Sequence, residues 1–231
     1  MTFGSVFGRT FSPTFQPSSQ AAKASYTTWW TLDGTITSCV AAYQAKGAAS
    51  YAASKVNLAN SGTYNAADGT AYPTWDSSTG WKFNGSTQYL KCGFSPVMQT
   101  GSAIVRFNDM QASNGALFGC YIGGADHFLI QPYHSAPGCR YWSGANCLVK
   151  SVIASGVLAM AGNKAYKNGT AETGTLPTGT SLNTPQCYIG GYNSNSTLAG
   201  ASNVYITAFA YYSATLTPQN IADLTTAIAA L

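Results

Sequence analysis

Downstream of about residue 75, short apolar runs alternate with clusters of Gly, Asn, Ser and Asp. The runs SAIVRFN, ALFGCYIGG, HFLIQPY, CRYW, SVIASGVLAM, KAYKNGTAE, QCYIGGY and NVYITAFAYYSA are rich in Tyr, Phe, Val and Ile. These residue types fit a pleated, half-buried surface. Turn signals separate the runs at intervals of roughly 8–15 residues, the spacing of a two-sheet sandwich. Asn84-Gly85 in WKFNGSTQYLKCGF and Asn168-Gly169 in KAYKNGTAE each read as the tight turn of a hairpin. The pattern predicts an all-β chain folded as an antiparallel two-sheet sandwich. It contains no internal repeat and no heptad.

The periodicity changes at the C-terminal end. Thr217 suits an N-cap and Pro218 the first helical position. Ile221, Leu224, Ile228 and Leu231 then recur at helical spacing, which predicts a helix over 218–230. A second, weaker helix is expected in GAASYAASKVNLAN, ended by Asn60-Ser61-Gly62. Residues 1–25 are different again. Phe3, Phe7, Phe11 and Phe15 fall every fourth position, with Gly4, Gly8, Pro13 and Pro17 between them. Gly and Pro oppose a helix, and in an extended chain residues four apart point the same way. The segment therefore reads as an extended assembly arm with one aromatic edge, docking on another subunit or adding a strand to its own sandwich. The body, 26–231, holds the sandwich and the helix.

Composition narrows the function. Apolar residues make up 45% of the 231, enough for a sizeable core, while charged residues are only 8%. Ordinary globular chains carry about 25% charge, so this surface is built from Ser, Thr, Asn, Gln and Tyr. Such a surface suits glycan contact or dense packing against neighbours. The net charge of +4 is spread along the chain without a basic cluster, which argues against nucleic acid. No apolar run is long enough for a membrane span, and the N-terminal segment lacks the continuous apolar stretch of a signal peptide. Six cysteines occur without a CxxC pair, so a zinc site is not expected. They read either as free, half-buried thiols or as up to three disulfides.

The order of these pieces resembles the laminin-G-like, concanavalin A-like jelly roll. WKFNGSTQYLKCG is similar to that family's early hairpin, and KAYKNGTAE to its hairpin with an Asp-Gly turn, here Asn168-Gly169. CYIGGYNSNSTLAGASNVYITAFAYYSATLTPQNIADL resembles its closing passage of strand, loop, last strand and small helix. The resemblance covers about residues 75–231. It implies a jelly-roll sandwich that serves glycan binding, adhesion, virion structure or, in some branches, glycan hydrolysis. It also implies calcium as the metal option, held at the rim by Asp and carbonyl oxygens. Chains with this body behind a short Phe/Pro/Gly-rich arm resemble products of phage structural genes.

The chemistry-bearing residues are few. Hydrolysis of a glycosidic bond needs two flanking carboxyl groups. Glu172 is the only glutamate, and the aspartates are scattered in turns. His127 and His134 have Asp126 and Ser135 as chain neighbours, but adjacent strand residues face opposite ways. No catalytic set is expected, and the chain reads as a non-enzyme. Asp109 and Asp126 are the one acidic pair that could share a rim for calcium; otherwise no cofactor is implied. Sugar sites combine an aromatic platform with amide and hydroxyl groups. The candidates for one are Tyr133, His134, Arg140, Tyr141, Trp142 and Asn146, with Tyr192, Asn193 and Asn195 in a second loop. The expectation is a virion structural subunit: a decoration, fibre or tail-associated protein. It would dock through its arm onto other virion proteins or copies of itself, with the sandwich displayed on the particle surface. The alternative is a lectin or receptor-binding module for cell-surface glycans, calcium-assisted.

Overall fold

A computed structural model describes residues 1, 26–122, 126–135, 138–177 and 185–231. The arm with Phe3, Phe7, Phe11 and Phe15 lies outside the described residues. The first strands are β1 (Cys39–Gln44), β2 (Ala67–Asp68), β3 (Thr74–Asp76), β4 (Gly80–Asn84), β5 (Leu90–Lys91) and β6 (Ser102–Asn108). The middle of the chain gives β7 (Phe118–Ile122), β8 (Asp126–His134), β9 (Gly138–Gly144), β10 (Cys147–Lys150), β11 (Gly156–Ala161), β12 (Lys164–Lys167) and β13 (Thr170–Ala171). The last strands are β14 (Tyr188–Ile189), β15 (Tyr192–Ser194), β16 (Thr197–Ala199) and β17 (Asn203–Tyr212). Helix α1 (Tyr51–Ser54) follows β1, and α2 (Pro218–Ala229) follows β17.

The strands form two sheets, as the alternation predicts. The first runs β13-β12-β11-β6-β17-β4-β3, with β1 also on β17; the second runs β10-β9-β8-β7-β14-β5-β2, with β15 and β16 attached. Between them lies the main core, including Trp81, Phe83, Phe107, Phe118, Phe128, Tyr141 and Phe209. The first sheet is covered on its outer face too. Ile104, Val157, Ala159, Ala208, Ala210 and Tyr212 pack there against Trp29, Leu32 and Ile36 and against Ile221, Leu224 and Ile228 of α2. Burial on both faces explains why β6, β11 and β17 read as nearly continuous apolar runs.

Helix α2 begins where expected. The Thr217 side chain accepts from the Asn220 backbone N–H at 3.1 Å, and Asn220 Oδ1 accepts from the Thr217 N–H at 3.3 Å, a reciprocal cap. Its far end is closed by Arg106, whose Nη1 donates to the carbonyls of Ile228 and Ala229 at 2.8 Å. The other expected helix shrinks to one turn, α1. Beyond it Asn57, fully buried, accepts from the backbone of Ala42 and Ala59 and donates to Val40 and Thr63, holding the chain irregular.

The two expected hairpins part ways. Asn168-Gly169 joins β12 to β13, both residues at positive φ, as a two-residue hairpin turn requires. Asn84-Gly85 does not make a hairpin, because β4 belongs to the first sheet and β5 to the second. There the Asn84 side chain accepts from the N–H groups of Ser86, Thr87 and Gln88, and the chain turns a corner between sheets.

Candidate functional site

β17 changes partner midway. Asn203–Ile206 pair with β4, while Ala208–Tyr212 pair with β1, and the register shifts between Ile206 and Ala208. Thr207 fills the irregularity: its carbonyl accepts from Ala45 and Lys46, and its hydroxyl accepts from Asn108 Nδ2 at 3.2 Å. Val204 and Ile206 point into the main core, so Tyr205 points outward. Helix α2 covers the outer face beside β11 and β6 but leaves this corner open.

The open corner is a cleft. Its floor is a row of directly paired residues across four strands: Thr74 on β3, Lys82 on β4, Tyr205 on β17 and Asn108 on β6. Two adjoining cavities of about 430 and 180 Å³ meet at Tyr205 and Thr79. Lys46, Ser78 and Asp109 line the larger, and Trp75, Asp76 and Lys82 the smaller. Lys82 Nζ sits 4.1 Å from the centre of the Tyr205 ring and 3.9 Å from Asp109 Oδ2. Lys46 Nζ donates to the Leu231 carbonyl at 2.6 Å. Hydrogen bonds from the Ser78 side chain and backbone hold the Asp76 carboxyl below its ordinary pKa. Trp75 Nε1 donates to the Ala45 carbonyl at 2.8 Å, which fixes its ring in the wall. The lining is thus two aromatic rings, hydroxyls, one amide and balanced charge.

Asp109 follows β6 at φ +53°, its Oδ1 accepting from Gln111 Nε2 at 2.7 Å. Asp126 opens β8 in the opposite sheet, so the two do not follow one strand edge. Among the described residues no three metal-ligating side chains gather.

The sugar candidates do not converge. Tyr141 points into the main core, fully buried, and its hydroxyl donates to the Tyr166 carbonyl; it cannot meet a ligand. Asn193 is also buried, donating to the Gln186 carbonyl at 2.8 Å and accepting from Ser196 N at 2.7 Å. Both are corrected from ligand contacts to structural residues. Tyr133 and His134 lie at the end of β8, where His134 pairs with Gly138, and Asn146 is exposed between β9 and β10. Asn195 makes the β15–β16 turn at positive φ. Arg140 and Trp142 do share the outer face of the second sheet, opposite Gln131 and Leu129. There Trp142 joins a ladder with His127 and Tyr121, ring centres 4.5 and 4.3 Å apart. Parallel pairing of β15 with β7 brings Tyr192 to the Tyr121 side. Rings stacked this closely spend their faces on one another, which pins strand register rather than offering a platform.

A third hollow, about 450 Å³, is lined by Thr70, Ser86, Thr87, Ser196, Thr197 and the edge of Tyr89. Tyr89 is closed between the Gly69 backbone and Tyr188, 4.6 Å between ring centres, so no ring face is free. Sequence reasoning missed Tyr205 because it sits in a run of strand aromatics. The adjacent Asn108-Asp109 and the Asp76-Ser-Ser-Thr turn were the polar signals beside it.

No protein-family model matches the chain, and no curated protein matches it in sequence. Solved structures do match its fold. One is a Trypanosoma rangeli sialidase holding a 2,3-difluorosialic acid covalent intermediate: 17% identity, TM-score 0.56, over 82% of this chain and 32% of that one. The same sialidase in complex with sialic acid matches at 16% identity and TM-score 0.54, over 82% and 33%. Domain 4 of an extracellular arabinanase from Geobacillus stearothermophilus, in complex with arabinotriose, matches at 16% identity and TM-score 0.47, over 81% and 98%. The chain thus spans about a third of the sialidase chains. The fold is an antiparallel two-sheet β-sandwich, concanavalin A-like in architecture. The expectation of a non-enzyme is corrected by the same finding: this sandwich is built into chains named as sialidases, so scattered carboxylates do not set the chain apart from enzymes.

Proposed function

We propose that the chain is a saccharide-binding sandwich whose site is the cleft around Tyr205. The observation that carries this reading is the paired row Thr74–Lys82–Tyr205–Asn108 beneath two adjoining cavities, the larger of about 430 Å³ and within the size range of small-ligand sites. A sugar ring presents C–H faces and hydroxyl edges. Tyr205, with Lys82 over one ring face, answers the first with the rest of its ring; Thr79, Asn108, Asp76 and Asp109 answer the second. Two lysines against two aspartates leave the lining without the basic excess a nucleic acid needs. The neighbours named as sialidases support sugar chemistry as the setting of this fold.

On a broad glycan array the full chain is expected to bind at least one saccharide. Tyr205→Ala should weaken that binding about tenfold or more, the loss of roughly 1.4 kcal/mol. Trp142→Ala should leave it unchanged. Retention in Tyr205→Ala with loss in Trp142→Ala would move the site to the second sheet, and silence across the array would defeat the reading.

One sequence observation favours a second role alongside the first. Phe3, Phe7, Phe11 and Phe15 recur at every fourth position in a chain that is only 8% charged. Each buried Phe contributes about 1.5–3 kcal/mol relative to exposure, so four could dock an arm firmly. In this reading the chain is a laminin-G-like virion subunit, docked on other virion proteins or copies of itself. Deleting residues 1–20 should leave thermal unfolding unchanged and abolish incorporation into particles. Particles that take up the truncated chain normally would rule the arm out.

A further inference from the structure

We propose that Cys92 and Cys187 form a disulfide between neighbouring strands when the chain folds in the presence of a thiol oxidant. β14 pairs antiparallel with β5 through Tyr188↔Lys91 and Ile189↔Leu90. One step along this register sets Cys187 opposite Cys92, and the Cys92 N–H donates to the Cys187 carbonyl at 3.0 Å. The Cys187 N–H donates on to the Phe94 carbonyl at 3.0 Å, so a single backbone bond joins the two; opposed residues of antiparallel neighbours have Cα atoms about 4.5–5.5 Å apart. That lies within the range found across a disulfide. Both side chains point into the main core, where the Cys187 thiol donates to the Tyr188 carbonyl at 3.7 Å.

Cys187 has a second neighbour. β14 also pairs with β7 through Tyr188↔Gly119 and Ile189↔Phe118, which sets Cys120 opposite Cys187 on the other side. All three side chains are fully buried. The backbone hydrogen bond that Cys92 donates to Cys187 selects Cys92 as the partner. The remaining cysteines lie elsewhere. Cys39 borders the core under α2, Cys139 lies beside Tyr141, and Cys147 stands opposite Trp142.

The reaction balances with glutathione disulfide as the oxidant. One cysteine thiolate attacks it and releases a first reduced glutathione. The other thiolate then displaces the second glutathione from the mixed disulfide. The chain loses two hydrogens, and two electrons reduce the oxidant to two thiols. Burial raises the Cys187 thiol well above its ordinary pKa and closes it to solvent once folded. The bond therefore forms during folding, before the strands close. It ties β5 to β14 around everything between residues 92 and 187.

The inference is independent of the saccharide reading. The test folds the full chain with glutathione disulfide, alkylates free thiols and digests with trypsin. Cleavage at Lys91, Arg106, Arg140 and Lys167 separates the alternatives: Cys92 falls in 92–106, Cys120 with Cys139 in 107–140, and Cys187 in 168–231. The expected product links 92–106 to 168–231 and leaves four alkylated thiols. Reduction should then lower the Tm by roughly 5–15 °C, and Cys92→Ser should remove that dependence on reductant. Six alkylated thiols, or a link from 107–140 to 168–231, would overturn the assignment; both readouts use the unsubstituted chain.

Discussion

Trp81→Ala should destabilise the sandwich by about 3–5 kcal/mol, the usual cost of removing a large aromatic from a closed core. For a chain of this size that is a fall in Tm of roughly 10–15 °C. Trp81 is fully buried and lies against Tyr43, ring centres 6.3 Å apart, which stacks in turn on Phe209. Its Nε1 donates to Ser54 Oγ at 2.8 Å, and so anchors α1 to the first sheet. Alanine removes the ring and that hydrogen bond together. Trp81→Phe keeps most of the ring and should cost less than half as much. Chemical denaturation of the three proteins checks this. A loss below about 1 kcal/mol for Trp81→Ala would mean the two sheets do not close around this ring.

Gly190→Ala should cost about 2–5 kcal/mol, combining left-handed backbone strain with overpacking. Gly190 has φ +84°, and a Cβ there would meet the Phe83 ring at 2.3 Å. Phe83 is fully buried in the main core and has nowhere to move. Gly62 supplies the control. It has φ +91°, but nothing stands within 4 Å of a Cβ. Gly62→Ala therefore carries the backbone strain alone, about 1–2 kcal/mol. Equal costs at the two sites would contradict the packing of Phe83 under the Ile-Gly-Gly turn.

Those two glycine positions show what the sequence carries and what it hides. The Ile189-Gly190-Gly191 passage is legible as a strand end, but only the folded chain reveals Phe83 beneath it. Helix α2 is legible because its signals are local: Thr217, Pro218 and the apolar stripe act within one segment. The sandwich is legible because alternation and turn spacing are also local. Sheet membership is not. Asn84-Gly85 satisfies backbone groups equally well at a hairpin and at a corner between sheets, so the turn alone could not say that β4 and β5 part. The cleft was hidden for the same reason. It depends on where β17 slips register at Thr207 and on where α2 stops, and both are properties of pairing between distant segments. Arg140 and Trp142 lie on the outer face of the second sheet, so Tyr141 between them necessarily faces the core, as strand alternation requires.

The most direct test is a backbone amide NMR titration of the full chain with the best-binding saccharide from the array. Shifts confined to Thr74, Thr79, Lys82, Asn108, Asp109 and Tyr205, saturating together, are the predicted result. Saturating shifts on Tyr121, His127, Arg140 and Trp142, with the Tyr205 row unmoved, would contradict it.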